Sequence, residues 1–72
     1  MNTMKEIYVE LLDEGTNVWR PVKAKLIEGS IYEIVDQTPE DEIWEFGIGT
    51  IVRCEERILS GGTCMVAVAE ID

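Results

Sequence analysis

Two cysteines and fifteen carboxylates are the side chains of this 72-residue protein that could carry catalytic or metal chemistry, because histidine is absent. Without histidine the chain lacks the commonest general base and metal ligand. Cys54 could act as a nucleophile, but no base is evident near it, and its acidic neighbours raise the pKa of a thiol. Two cysteines without a histidine also make a poor zinc site. We therefore interpret Cys54 as a structural thiol.

The carboxylates do not follow a catalytic or cation-binding spacing. Glu55 and Glu56 are adjacent, and since neighbouring residues of a strand point to opposite faces, they cannot form one catalytic pair; we expect Glu55 to be solvated. A second candidate is an acidic loop, whose carboxylates are Asp36, Glu40, Asp41 and Glu42. It lacks the alternating acids and central glycine of a calcium loop, so we interpret it as a solvated acidic rim. We predict no metal, no cofactor and no enzymatic activity.

The charge balance restricts the class of partner. Fifteen acids against six bases give a net charge of −9. Nucleic acid requires a basic patch and an anionic membrane surface attracts basic segments, so we expect neither as a partner. A basic protein partner is electrostatically reasonable. The plainer alternative is that the charge only keeps a small protein soluble.

The predicted location is the cytoplasm. No apolar run approaches the roughly 18–20 residues of a transmembrane helix. Residues 1–6 lack the basic and long apolar regions of a secretory signal. A turn at Ser60-Gly61-Gly62 would separate Cys54 from Cys64 by about 16 Å, at roughly 3.3 Å per residue, which is beyond the reach of a disulfide. Two free thiols fit a reducing compartment.

Apolar residues recur mainly at every second position, which is typical of β-strands. The pattern predicts strands over 4–12, 18–27, 31–35, 43–46, 51–59 and 63–71, without a convincing helix. Successive hairpins make an antiparallel meander, and closing the sheet on itself gives so short a chain a core. We predict one domain over 1–72, an all-β, small antiparallel five- to six-stranded SH3-like barrel. The predicted core is Ile7, Val9, Leu11, Val22, Ala24, Leu26, Ile34, Trp44, Phe46, Val52, Cys54, Val66 and Val68.

The direction of Trp19 is ambiguous in the second strand. Strict alternation through Pro21 points Arg20 inward and Trp19 outward. Pro21 cannot donate a ladder hydrogen bond, so it marks an edge or a bulge, and a one-residue bulge at Arg20-Pro21 would point Trp19 inward. We favour the bulge because the core is short of aromatic residues. An outward Trp19 would instead be a binding hot spot.

The last strand is apolar on both faces, whereas a strand of a one-layer barrel should have one polar face. One face carries Cys64, Val66 and Val68, and the other carries Met65, Ala67, Ala69 and Ile71. The N-terminal segment could cover one face, or a second copy could do so in a homodimer through this strand. The plainer alternative is a terminal strand that lies over the barrel mouth.

Two runs of sequence resemble a family of small uncharacterised bacterial proteins. The first is LLDEGTNVWRPV over 11–22, and the second is Trp44-Glu45-Phe46 followed by Gly49 and VRCEER over 52–57. The order and spacing of the runs are also similar, but Gly47-Ile48-Gly49 stands where a proline-containing loop is expected. The resemblance implies a bacterial, cytoplasmic protein, and it implies no activity.

The function that these features favour is a non-catalytic protein-interaction module, since small β-barrels bind through loops and exposed strand edges. The predicted partner-binding residues are Trp19, Arg20, Trp44 and Glu45. The alternative is an acidic inhibitor of a basic protein, such as an immunity protein or a nucleic-acid mimic, which should gather its acids on one face. A small hydrolase or metal enzyme is the weakest of the three hypotheses.

Overall fold

The alternating pattern folds into five β-strands within residues 4–15, 18–59 and 61–71, the parts of the chain that this computed structural model describes. The strands are β1 (Met4–Leu11), β2 (Val18–Glu28), β3 (Ile31–Ile34), β4 (Ile51–Leu59) and β5 (Gly62–Glu70). They form one closed barrel in chain order, which confirms the predicted small all-β barrel. The predicted turns at 13–17 and 60–62 include Thr16, Asn17 and Ser60, which lie outside the described residues.

The barrel closes between its first and last strands. Each strand pairs antiparallel with the next, so β1 and β5 run in the same direction and their contact, Tyr8 beside Val66, is parallel. This parallel closure follows from the odd number of strands in the meander. The predicted strand over 43–46 forms only an antiparallel bridge between Trp44 and Leu11, which places this segment beside the end of β1.

The core lies inside the barrel and is close to the predicted one. Its buried residues are Ile7, Val9, Leu11, Val22, Ala24, Tyr32, Ile34, Trp44, Val52, Cys54 and Ala67. Leu26 and Phe46, which the sequence places in the core, are partly buried and pack against this cluster.

The face of β5 that lines the core differs from the prediction. Met65 and Ala67 pack on the core, and the pairing with β4 skips Val68, which forms a bulge and is only half-buried. Val66 points to the outer face, where it is fully buried beside Tyr8 of β1. The chain itself therefore buries Val66, and this residue does not need a second copy to cover it.

The predicted bulge at Arg20-Pro21 is wrong. β1 and β2 pair without a register shift along the whole of β1. Arg20 lies opposite Val9 on the inner face, and Trp19 lies opposite Glu10 on the outer face. Trp19 is consequently half-buried on the outside of the barrel.

Two other aromatic side chains are buried in the core. Tyr32 comes from β3, and Trp44 comes from the segment between β3 and β4. Pro21 marks an edge instead of a bulge, because β3 pairs with β2 only from Ala24 onward.

Candidate functional site

The segment over 36–50 crosses the end of the barrel, and the carboxylate of Glu42 is one of the groups that hold it there. Glu42 Oε1 accepts hydrogen bonds from Trp44 Nε1 at 2.8 Å and from Arg20 Nε at 3.1 Å, while Arg20 Nη2 donates to Glu42 Oε2. The bond from Trp44, followed by that from Arg20, lowers the pKa of Glu42. Arg20 and Glu42 thus bind each other and orient Trp44 into the core.

The same segment then runs beside the end of β1. Leu12 N donates to the carbonyl of Ile43 at 2.7 Å, and Glu45 N donates to the carbonyl of Glu10 at 2.9 Å. Trp44 pairs with Leu11 in a β-bridge, and both side chains are buried on the inner face. The residues that flank them in the two segments therefore pair on the outer face. Ile43 is therefore beside Leu12, and Glu45 is beside Glu10.

These pairs and Trp19 form one continuous surface, which we call the outer patch. It consists of Glu10, Leu12, Trp19, Ile43 and Glu45 and spans β2, β1 and the segment 43–45. Leu12 is 41% exposed and Ile43 is 54% exposed, while Trp19 is half-buried. The outer patch therefore presents large apolar side chains around two carboxylates.

The two carboxylates of the outer patch repel each other. Glu10 of β1 and Glu45 of the bridged segment lie in directly opposed positions, where like charges are destabilising. Partial burial, followed by the charge of Glu10, raises the pKa of Glu45. Within 4–15, 18–59 and 61–71, neither side chain has an ion-pair partner. A cation from another molecule would relieve this repulsion.

We expect Glu45→Gln to stabilise the protein at neutral pH by up to about 1 kcal/mol, because it removes a like-charge cross-strand pair. The raised pKa means that ionised Glu45 destabilises the fold at neutral pH, and this penalty disappears as the pH falls through the folded pKa toward 4.5. The gain from Glu45→Gln should therefore vanish in acid. Urea unfolding at neutral and acidic pH measures it.

The control for this prediction is Glu6→Gln, since Glu6 lies opposite Lys23 on β2. That change removes an attraction and should slightly lower the free energy of unfolding at neutral pH. If Glu45→Gln also lowered the free energy of unfolding, repulsion between Glu10 and Glu45 would be contradicted.

The four predicted partner-binding residues separate into two groups. Trp19 and Glu45 belong to the outer patch, whereas Trp44 is buried and Arg20 is bound to Glu42. Sequence reasoning missed the other members of the patch, although alternation along β1 does place Glu10 and Leu12 on its outer side. No local signal could have placed Ile43, because its position depends on the crossing of a long loop.

The four residues of the predicted acidic rim differ in their contacts. Asp36 Oδ2 accepts the backbone N–H of Lys23 at 2.8 Å, and Glu42 is the anchor of the crossing segment. Glu40 and Asp41 are exposed. In the described parts of the chain, no group of three or more Cys, His, Asp or Glu side chains is arranged to hold a metal ion.

The adjacent acids Glu55 and Glu56 lie on opposite faces of β4. Glu55, predicted to be solvated, has a side chain that is 42% exposed and accepts hydrogen bonds from Arg57 Nη2 at 2.6 Å and Arg53 Nη1 at 2.7 Å. These bonds, the one from Arg57 first, lower the pKa of Glu55. Glu56 points away from this cluster, so the two carboxylates do not form a catalytic pair.

Both cysteines are free thiols, as predicted. Cys54 is buried in the core, and burial raises the pKa of its thiol to about 11. Cys64 is half-buried on the opposite face of the sheet, across from Arg57. A buried thiol with a raised pKa is a poor nucleophile, so Cys54 acts in packing.

Comparison with known proteins found no similar protein. No protein-family model matches the chain, and neither a curated protein nor a solved structure matches it. Among the described residues there is no helix of the length and apolarity that crossing a membrane requires.

Proposed function

We propose that this chain is a non-catalytic protein-interaction module and that the outer patch is its binding surface. The observation that carries the proposal is the position of Trp19, which lies on the outer face, opposite Glu10 and half-exposed. A rigid aromatic side chain on a sheet surface supplies much contact area at little entropic cost. The exposed Leu12 and Ile43 extend this apolar area.

The chemistry of the outer patch favours a basic partner. Glu10 and Glu45 lie side by side and have no ion-pair partner among the described residues, and the indole of Trp19 is next to Glu10. Indole faces attract ammonium and guanidinium groups, and carboxylates bind the same groups by charge-assisted hydrogen bonds. An arginine or lysine of the partner would satisfy both. We also propose a bacterial cytoplasmic location, which the free thiols support.

The alternative function, an acidic inhibitor of a basic protein, draws support from the distribution of charge. The segments 10–20 and 36–45 contain eight acids and one base, which is −7 of the total charge of −9. Hydrogen bonds between Leu12 and Ile43 and between Glu45 and Glu10 hold these segments together. The acids therefore gather at one end of the barrel, the arrangement that this alternative requires.

Affinity capture from a lysate of the source organism, at low and high salt, tests the proposal. A protein retained by the native chain should be lost with Trp19→Ala, because removal of a central aromatic residue costs about 2 kcal/mol or more of binding free energy. It should also be weakened by the double variant Glu10→Gln/Glu45→Gln. The double variant Glu6→Gln/Glu28→Gln has the same net charge, changes exposed residues outside the outer patch and should bind normally.

The salt dependence separates the two functions. Retention that survives high salt but requires Trp19 supports the interaction module. Retention that high salt abolishes, and that Trp19→Ala leaves unchanged, supports the acidic inhibitor instead. A captured protein that both double variants bind equally well would show that the outer patch is not the binding surface.

A further inference from the structure

The side of β2 that faces away from β1 is an open sheet edge next to Trp19. β3 pairs with β2 only from Ala24 onward, and Val35 N extends this ladder by one bond, to the carbonyl of Lys23 at 3.1 Å. Asp36 Oδ2 then accepts the N–H of Lys23 and ends the ladder. Beyond Lys23, toward the start of β2, no strand follows among the described residues.

The backbone groups on this edge can be assigned from the alternation of the strand. Both backbone groups of Lys23 point toward β3, so those of Pro21 and Trp19 point to the same side. Within the described parts of the chain, the N–H and carbonyl of Trp19 and the carbonyl of Pro21 have no hydrogen-bond partner. Pro21 has no N–H to expose, so Trp19 holds the free donor of this edge.

We propose that an extended segment of a basic protein partner adds to β2 as a further strand at Trp19, with an arginine or lysine as its residue beside the indole. This inference rests on the proposed function and names its mode of recognition. In a hydrogen-bonded pair, the partner residue opposite Trp19 would exchange two main-chain bonds with it. A strand added at about 4.8 Å would place its outward side chain against the indole.

The charges around the edge select this occupant over a second copy of the chain. Glu10 lies on the far side of Trp19, on the same outer face. A cationic side chain on the added strand would therefore meet this carboxylate beyond the indole. A second copy would instead bring its own acidic segments to this end of the barrel, against a net charge of −9 on each molecule.

Peptide selection with an amide-level readout tests the proposal. Unconstrained short peptides displayed on phage are selected for binding to the immobilised full chain at low salt. The peptide that binds most tightly is then synthesised as a series, each member with one backbone amide N-methylated. We expect a basic peptide whose affinity falls by about tenfold or more when alternate positions are methylated, because alternate amides face β2. The intervening positions should tolerate methylation.

Amide hydrogen exchange followed by NMR locates the added strand. In the free protein, the amide of Trp19 should exchange rapidly, whereas the amide of Val22, which faces β1, should be protected. The selected peptide should protect Trp19. A protected Trp19 amide in the free protein would show that the edge is already closed and would overturn the proposal.

The two prolines of the chain provide a matched pair of variants. Pro21→Val adds an N–H donor to the edge and should tighten peptide binding severalfold, by the amount of about one hydrogen bond. Pro39 is exposed in the loop and is not part of a strand, so Pro39→Val should leave binding unchanged. Equal affinities for both variants would contradict strand addition.

Failure of this inference can be distinguished from failure of the proposed function. A peptide that depends on Glu10 and Glu45, tolerates every N-methyl group and leaves Trp19 exchanging would refute strand addition, while the outer patch would remain a binding surface. Peptides that bind as well after Trp19→Ala and Glu10→Gln/Glu45→Gln would refute both.

Discussion

Trp44→Ala is expected to lower the free energy of unfolding by about 3–5 kcal/mol, the usual cost of removing a large aromatic side chain from a core. Trp44 is 9% exposed, bridges β1 at Leu11, and donates its indole N–H to Glu42. Its removal leaves a cavity and also frees the crossing segment. A domain of this size has a total stability of only about 4–11 kcal/mol, so the loss is a large fraction of it.

The other tryptophan provides the control for this measurement. Trp19→Ala removes the same side chain from the half-buried outer face and should cost about 1 kcal/mol or less. Urea unfolding followed by circular dichroism measures both variants. If Trp44→Ala does not fold, Trp44→Phe keeps an aromatic ring but removes part of the indole volume and the bond to Glu42, at a cost of about 2 kcal/mol. Equal losses for the two alanine variants would contradict the assignment of Trp44 to the core.

The second large effect concerns the thiol of Cys54. In the folded protein at neutral pH, it should react with a thiol reagent at least about a hundredfold more slowly than in the unfolded chain. Burial raises its pKa from 9.0 to about 11, which reduces the thiolate fraction by that factor, and the barrel wall further restricts access. The rate should continue to increase with pH through the alkaline range, since the thiolate is the reactive form.

Two single-cysteine variants isolate this effect. Cys64→Ala leaves only Cys54 and should be labelled slowly, whereas Cys54→Ala leaves only the half-buried Cys64 and should be labelled faster. Mass spectrometry of timed samples gives both rates. Rapid labelling of Cys54 at neutral pH would contradict a structural thiol and would restore it as a candidate nucleophile.

The two predictions are linked through local opening of the barrel. A buried thiol becomes accessible when the structure around it opens, so labelling of Cys54 reports the free energy of that opening. Trp44 and Cys54 belong to one core cluster. We therefore expect Trp44→Ala to accelerate the labelling of Cys54, and Trp19→Ala to leave it nearly unchanged.

The sequence predicted the strands well because one-sided burial imposes a period of two. β4 occupies the predicted range 51–59 without change, and the other strands start or end close to the predicted positions. Alternation along β1 also identified Ile7, Val9 and Leu11 as core residues. A closed small barrel followed from these strands, since closure removes edges and encloses a core.

Alternation gave wrong predictions where a one-residue bulge decides which face of the barrel a side chain lies on. A bulge moves every following side chain of the strand to the opposite face of the sheet. Whether it forms depends on contacts with other parts of the chain, so the alternation of one strand does not reveal it. β5 has a bulge at Val68 that the sequence did not indicate, and β2 lacks the one expected at Pro21. The core gains one aromatic residue that the sequence did not indicate, Tyr32 of β3, while Trp19 stays on the outer face of β2.

By itself, the sequence determined the all-β class, the strand positions, the free thiols and the absence of histidine chemistry, because these depend on local pattern and composition. Only the tertiary structure decided which residues share a surface. The outer patch exists because the segment 43–45 returns to the edge of β1 and brings Glu45 beside Glu10. Residues so far apart in the chain become neighbours through long-range packing, which no local pattern encodes.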